Sequence, residues 1–256
     1  MRVLLPVSLL RIPTAHRALH DRAQGRIENS PSAIRAAIAA GYAVEIDVQL
    51  SSDGQAIVFH DDELARLTGQ PGWIRDHSAA DLGTFTLTDS TDTIPTLPQV
   101  LAIIAGRVPL LIEIKDQTMA MAQTDGRLEQ ATALALESYT GDVAVMSFNP
   151  HSMAHMARLA PYIPRGLTTS AYDYADWHPL DPATCDMLRA IPDYDRTQSS
   201  FISHQGNDLA RPRVAALKAQ GAAVLCWTIR GPDQEARARQ IAHNITFEGY
   251  AAAIPA

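Results

Sequence analysis

Cysteine is scarce in this 256-residue sequence: Cys185 and Cys226 are the only two, and they form no Cys-x-x-Cys spacing. Neither a disulfide framework nor a zinc-thiolate site is suggested by them, and such sparing use fits a reducing compartment. Basic residues are also in short supply, with 21 Lys and Arg against 28 Asp and Glu and a formal charge of −7. That balance argues against nucleic acid as the main partner, which would need a basic face against the phosphates. A small anionic substrate held by a few local cations is still allowed. No apolar run approaches the roughly eighteen residues of a membrane-spanning helix, so no stable membrane insertion is expected. The apolar N-terminal stretch 1–10 is interrupted by Pro6 and closed by Arg11, unlike the longer, cleaner core of a secretion signal. Cleavage near Ala15 would leave His16 at the new terminus. The expected location is therefore the cytoplasm, and nothing in the sequence speaks to oligomeric state.

What is present is material for a core, 46% hydrophobic residues, arranged in short apolar runs that alternate with helical patterns. That alternation is the mark of βα units around a parallel sheet. Eight strands are expected, at 11–16, 43–49, 109–115, 142–147, 165–169, 200–203, 222–228 and 244–247, the number that closes an α/β TIM (β/α)8 barrel. Ser30, Pro31 and Gly41 are the cap, first-turn and stop residues of a helix between the first two strands. Further helices are expected over 96–105, 120–139, 150–159, 209–220 and 232–242. The stretch 171–197 reads as a long loop with a short helix near 182–189. One domain spanning 1–256 is expected, with residues 50–95 forming a hairpin and a small inserted cap after the second strand.

Chemistry enters on that second strand. In Val44-Glu45-Ile46-Asp47-Val48 the acids alternate with aliphatics, so a barrel strand points Glu45 and Asp47 inward and the aliphatics toward the helices. Two carboxylates on one buried face are costly unless a cation or hydrogen bonds compensate them. The next strand repeats the pattern, placing Glu113 and Lys115 on one face and Ile112 and Ile114 on the other. Three inward carboxylates make a hard-oxygen metal site, suited to Mg2+ or Ca2+ rather than zinc. Lys115, one step nearer the C-terminal rim, is placed to meet a substrate phosphate.

Asp53-Gly54 between two strand patterns is a hairpin signal. With those two residues as the loop, Asp47 falls opposite His60, and directly opposed residues share a face. His16 and Arg17 stand at the C-terminal end of the first strand, where barrel active sites lie. His151 and His155 have i,i+4 spacing without a zincin's Glu and read as a surface pair. His20, His77, His178 and His243 sit in polar surroundings without a signal.

In order along the chain stand His16-Arg17-Ala18, Glu28-Asn29-Ser30, Glu45-Ile46-Asp47, His60-Asp61 and Glu113-Ile114-Lys115. This series resembles the glycerophosphodiester phosphodiesterases, whose motifs run His-Arg-Gly, Glu-Asn-(Thr/Ser), Glu-x-Asp, His-Asp and Glu-x-Lys. Ile94-Pro95-Thr96-Leu97, Ser147-Phe148-Asn149-Pro150 and Trp227-Thr228 extend the likeness over nearly the whole chain. Two departures stand out: Ala18 replaces a glycine, and Thr246-Phe247-Glu248-Gly249-Tyr250 replaces the family's Thr-Asp-Tyr-Pro. The resemblance implies a divalent metal on Glu45, Asp47 and Glu113 with Glu28 near it, and phosphate contacts from Arg17 and Lys115. It also implies proton transfer divided between His16 and His60, and Trp227 packed against the alcohol. The implied reaction is hydrolysis of a small-molecule glycerophosphodiester to glycerol 3-phosphate and an alcohol. The alternatives are a related phospholipase forming a cyclic phosphate, or a non-catalytic binding barrel. The small cap and the absence of an apolar lip favour water-soluble substrates.

Overall fold

The computed structural model describes residues 2–255. The chain opens with a short helix α1 (Val7–Arg11), then β1 (Thr14–Ala15), α2 (Pro31–Ala40), β2 (Ala43–Leu50) and β3 (Ala56–Val58). Two four-residue helices follow, α3 (Ala65–Thr68) and α4 (Ala79–Leu82), then α5 (Leu97–Ile104), β4 (Leu110–Ile114) and α6 (Arg127–Leu136). The second half runs β5 (Val143–Ser147), α7 (Pro150–Leu159), β6 (Arg165–Thr169), α8 (Pro182–Arg189), β7 (Phe201–Gln205) and α9 (Pro212–Ala219). It ends with β8 (Ala223–Ile229), α10 (Pro232–Ala238) and β9 (Asn244–Phe247). The parallel strands pair in the order β1-β9-β8-β7-β6-β5-β4-β2, and a β1–β2 pairing closes the ring. This is the expected eight-stranded TIM barrel, with β3 added antiparallel outside the ring. No helix among the described residues is long and apolar enough to cross a membrane.

Helix caps follow the residues that announce them. Ser30 accepts from the Ala33 amide and Gly41 ends α2 at φ 76°, a left-handed turn that costs glycine nothing. Thr96 and Gln99 form a reciprocal capping box on α5. The helix expected over 120–139 starts later, at Arg127. The Asp116 carboxylate captures the amides of Thr118, Ala120 and Met121, which favours a turn over a helix.

The first strand departs from expectation. Arg11, expected to begin it, ends helix α1, and β1 keeps only Thr14 and Ala15. Leu5 and Leu9 of this segment pack with the inward side chains Leu111, Met146, Phe201 and Leu225, closing the N-terminal mouth. Asn244 of β9 donates its amide to the carbonyls of Leu9 and Ile12 at 2.9 and 2.6 Å, tying the plug to the last strand. A short apolar run is ambiguous between helix and strand until something needs covering. The barrel interior is thus apolar at this end, and the charged inward residues lie at the other. Phe201 occupies the space beside Gly166, where a Cβ would stand 2.4 Å from its ring.

The hairpin is one residue out of the expected register. Val48 pairs with Val58 and Leu50 with Ala56, and the Phe59 amide donates to the Asp47 carbonyl. A three-residue turn, 52–54, with Gly54 at φ 82° replaces the two-residue loop. His60 therefore does not lie opposite Asp47 within the ladder. It leaves the strand after Val58, and Gln49 holds its carbonyl at 3.1 Å. The segment between β3 and α5 gathers around a small core of its own, including Ile57, Phe59, Leu64, Ile74 and Ile94.

Candidate active site

Parallel pairing sets Asp47 beside Glu113 and Glu45 beside Leu111. Oxygens of Glu45, Asp47 and Glu113 come within 4.8 Å of one another, and all three residues are buried. Lys115 Nζ lies 2.8 Å from Asp47 Oδ1 and 2.7 Å from Glu113 Oε1. Asp47 also accepts from Asn29 Nδ2 at 2.9 Å, while Asn29 Oδ1 accepts the Asp47 amide. Burial opposes ionisation of Asp47, but Lys115, His60 and Arg17 outweigh it and hold its carboxyl well below the usual range. Glu45 is the opposite case. It accepts the Arg17 backbone N–H at 2.7 Å, and burial with Asp47 and Glu113 alongside pushes its carboxyl well above the usual range.

This imbalance tests whether a metal fits. Three carboxylates meet the Lys115 ammonium and the Arg17 guanidinium, both drawn to Asp47, so Glu45 needs either a proton or another cation to be stable where it is. The donor set is all oxygen, which suits a hard divalent ion. Glu28 does not join the cluster. Arg66 clamps it at 2.7 and 2.9 Å, and Arg17 Nη1 donates to it at 2.8 Å.

The two histidines are built alike. His16 follows β1, and its amide donates to the Phe247 carbonyl. Its Nδ1 lies 2.5 Å from Glu248 Oε2. His60 Nδ1 lies 2.7 Å from Asp61 Oδ1, and Arg66 bridges Asp61 to Glu28. A carboxylate only accepts, so each pairing keeps the proton on Nδ1 and leaves Nε2 as the working nitrogen. Burial lowers the His16 imidazole below its ordinary value, with the Glu248 hydrogen bond opposing. Arg230 donates to the far oxygen of Glu248, Oε1, at 2.7 Å, and His20 Nε2 lies 3.8 Å from Oε2, the oxygen that meets His16.

Sequence patterning points to neither Asn29 nor Glu248. Asn29 was visible inside a motif but carried no charge to draw notice. Glu248 lay in the one segment that departs from the family pattern, and only closure of the ring brings it to His16. Ala18, where the family motif has glycine, is left-handed at φ 66°, a strain of about 1–2 kcal/mol that its buried methyl and the Ala18 N–H bond to the Glu45 carbonyl help to offset.

Beside Glu113, Lys115 and His60 opens a cleft of about 620 Å³. Met119, Met121, Phe148, Trp177, Pro179 and Leu180 form its apolar side, so an apolar lip is present where none was expected. The aromatic rings brace one another, with Phe148–Trp177 and Tyr172–Trp177 centroids 5.0 and 4.7 Å apart. Trp227 stands behind this wall, edge-on to Phe148 at 5.3 Å. Its indole N–H donates to the Ser203 carbonyl at 3.0 Å, and it is not among the residues that line the cleft.

The Glycerophosphoryl diester phosphodiesterase family matches this chain over residues 16–244. A Bacillus subtilis protein of uncharacterised role, YqiK, is 32% identical over 161 residues, covering 59% of this chain and 65% of that one. A glycerophosphodiester phosphodiesterase from Caldanaerobacter subterraneus is 28% identical over the same coverage. The matched stretch thus spans 65% of the length of these two relatives. Among solved structures, a phosphodiesterase from Oleispira antarctica in complex with sn-glycerol-3-phosphate superposes with a TM-score of 0.75. It is 24% identical, with 93% of each chain covered. A glycerophosphodiester phosphodiesterase from Parabacteroides distasonis gives 0.70 at 20% identity, again with 93% of each chain covered. At these identities the likeness is one of fold.

Proposed function

Since the chain belongs to the Glycerophosphoryl diester phosphodiesterase family, we propose that it hydrolyses a glycerophosphodiester to glycerol 3-phosphate and an alcohol, using a divalent cation, Mg2+ or Ca2+. The observation that carries the reading is the cluster of three buried carboxylates, with His16 and His60 near enough to feel the Asp47 charge and each held at Nδ1 by its own acid. Glu45, Asp47 and Glu113 would hold the cation, which when bound supplies charge stabilisation at the phosphodiester oxygens.

The remaining work falls to the chain's own groups. Arg17 Nε makes no hydrogen bond and lies 3.7 Å from Asp47 Oδ2, and its guanidinium is assigned to a phosphate oxygen. Lys115 has three N–H donors, of which Asp47 and Glu113 take two, and the third is assigned to the phosphate. His16 and His60 divide the proton transfers, one taking a proton from the attacking oxygen and the other giving one to the leaving alkoxide. Glu248 and Asp61 orient them. Glu28, locked by two arginines, is assigned to positioning Arg17 rather than to the metal. Trp227 backs the cleft wall through Phe148. The working form is a water-active enzyme of the cytoplasm, one domain with residues 50–95 as its cap.

Phosphorus NMR of a glycerophosphodiester incubated with the protein tests this. Glycerol 3-phosphate should appear with added Mg2+ or Ca2+, and a cyclic phosphate signal would identify the phospholipase-like course. Undiminished turnover in excess chelator, or in His16→Ala, would sink the reading.

A further inference from the structure

The charge lining the cleft beside the carboxylates is almost all of one sign. Asp61, Asp62, Glu63, Glu113 and Asp116 line it against one cation, Lys115, which is already bonded to Asp47 and Glu113. Some of this negative charge is spent. Asp61 is held by His60 and Arg66, and Asp116 by backbone amides and Asn149. Asp62 is not: its carboxylate accepts from the neutral Gln49 amide at 3.1 Å, and no cation within salt-bridge range of it or of Glu63 is found among the described residues. The same cleft is lined by the rings of Phe148 and Trp177 and by Met119 and Met121.

We propose that this cleft takes the alcohol half of the diester and selects an alcohol bearing a compact cationic nitrogen, a quaternary or primary ammonium. The proposal rests on the phosphodiesterase reading for its placement of the phosphate. Aromatic faces attract such a cation, more strongly when it sheds water, and thioethers are soft, polarisable partners. The free acids add a field of the same sign. A polyol would set part of its hydroxyls against an apolar wall and gain only neutral hydrogen bonds from the acids, and an anionic alcohol would be repelled. Arg75 already lies over the Trp73 ring at 4.5 Å, so the selection is assigned to Phe148 and Trp177. Their wall is held in place before any ligand arrives. Arg189 donates to the carbonyls of Ala171 and Tyr172 at 2.6 and 2.7 Å, and Tyr172 packs on Trp177. A site organised in advance loses little affinity to ordering.

The test compares kcat/KM of the metal-loaded protein for glycerophosphocholine, glycerophosphoethanolamine, glycerophosphoglycerol and glycerophosphoinositol. The two cationic diesters should exceed the two polyol diesters on the order of tenfold. That ratio should fall toward one in Trp177→Leu, and partly in the conservative Asp62→Asn, with folding checked by circular dichroism. Equal or better turnover of the polyol diesters, or a ratio unmoved in both variants, overturns the proposal. Calorimetric titration with free choline gives a readout independent of turnover. Saturable binding, weakened in Asp62→Asn, is expected. Its absence overturns the cationic subsite even where diesters are hydrolysed, whereas choline binding without hydrolysis of any diester overturns the phosphodiesterase reading alone.

Discussion

Replacing Glu248 by Gln perturbs the site at one bond while leaving its shape. Glu248 Oε2 and His16 Nδ1 lie 2.5 Å apart, with the two side chains 18% and 14% exposed. The carboxylate can only accept, so it holds the imidazole in the tautomer that leaves Nε2 basic, whereas an amide can donate as readily as accept. A hydrogen bond to a charged group in such surroundings is worth about 1.5–3 kcal/mol. At 1.36 kcal/mol per decade, that is roughly a ten- to hundredfold loss of kcat/KM. The loss should fall on kcat, because Glu248 supports a proton transfer and touches no substrate in this scheme. The pH profile carries the second signature. Burial lowers the His16 imidazole and Glu248 opposes it, so removing the carboxylate charge lowers it further. Whichever limb His16 controls should therefore move toward acid pH. Arg230 loses its partner as well, but that contact is 64% exposed on the arginine side and contributes less than about 1 kcal/mol. The assay is kcat and KM for one glycerophosphodiester from pH 5 to 9, with Glu248→Asp as the partial rescue. A Glu248→Gln enzyme within threefold of wild type, with an unmoved profile, would refute the reasoning if His16→Ala is inactive.

Glu45→Gln should stabilise the metal-free protein by about 1–3 kcal/mol, since it removes a buried, poorly partnered charge. The folded Glu45 carboxyl is raised, so the wild type loses stability as pH rises through that value and the variant's advantage grows toward alkaline pH. The gain in melting temperature on adding Mg2+ or Ca2+ should vanish in the same variant. A metal response as large as the wild type's would remove Glu45 from the ligand set. Gly166→Ala would drive a methyl to 2.4 Å from the Phe201 ring, costing about 1–3 kcal/mol or more. Urea denaturation measures this, and a neutral result would mean that the ring has room to move. His204 is fully buried between Thr169 and Asp208, and burial lowers its imidazole below 6.5 despite Asp208. Below about pH 6.5 the unfolded chain takes up a proton that the folded one refuses, so melting temperature should fall with acidification through that window. The slope should flatten in His204→Gln.

Strands β5 to β9 and helices α7 and α8 were legible because period and punctuation agreed there. Pro150 and Pro182 stand in first turns, and the strands are bounded by the turns around them. The three carboxylates were legible for a related reason. Alternation with aliphatics on a strand leaves a side chain only two directions, and the flanking helices claim one of them. His60 was reached by a faulty route, since the ladder register is one residue away from that expected. It arrives because the chain leaves the strand early, and Gln49 and Asp61 hold it there. Helix α1 escaped notice because its reason for being lies in the barrel mouth it fills.

The order of charged and apolar residues along the chain thus determined the barrel and the carboxylate cluster, which depend on local period and neighbouring type, while the motif residues around them are legible through the family resemblance. Tertiary structure alone decided which partners those residues keep. Glu248 meets His16 across 232 positions, Lys115 is drawn onto Asp47 and Glu113, and Glu28 is taken up by Arg17 and Arg66. Such pairings depend on distances in a closed ring, and a charge in low dielectric takes the nearest opposite charge whatever its place in the sequence.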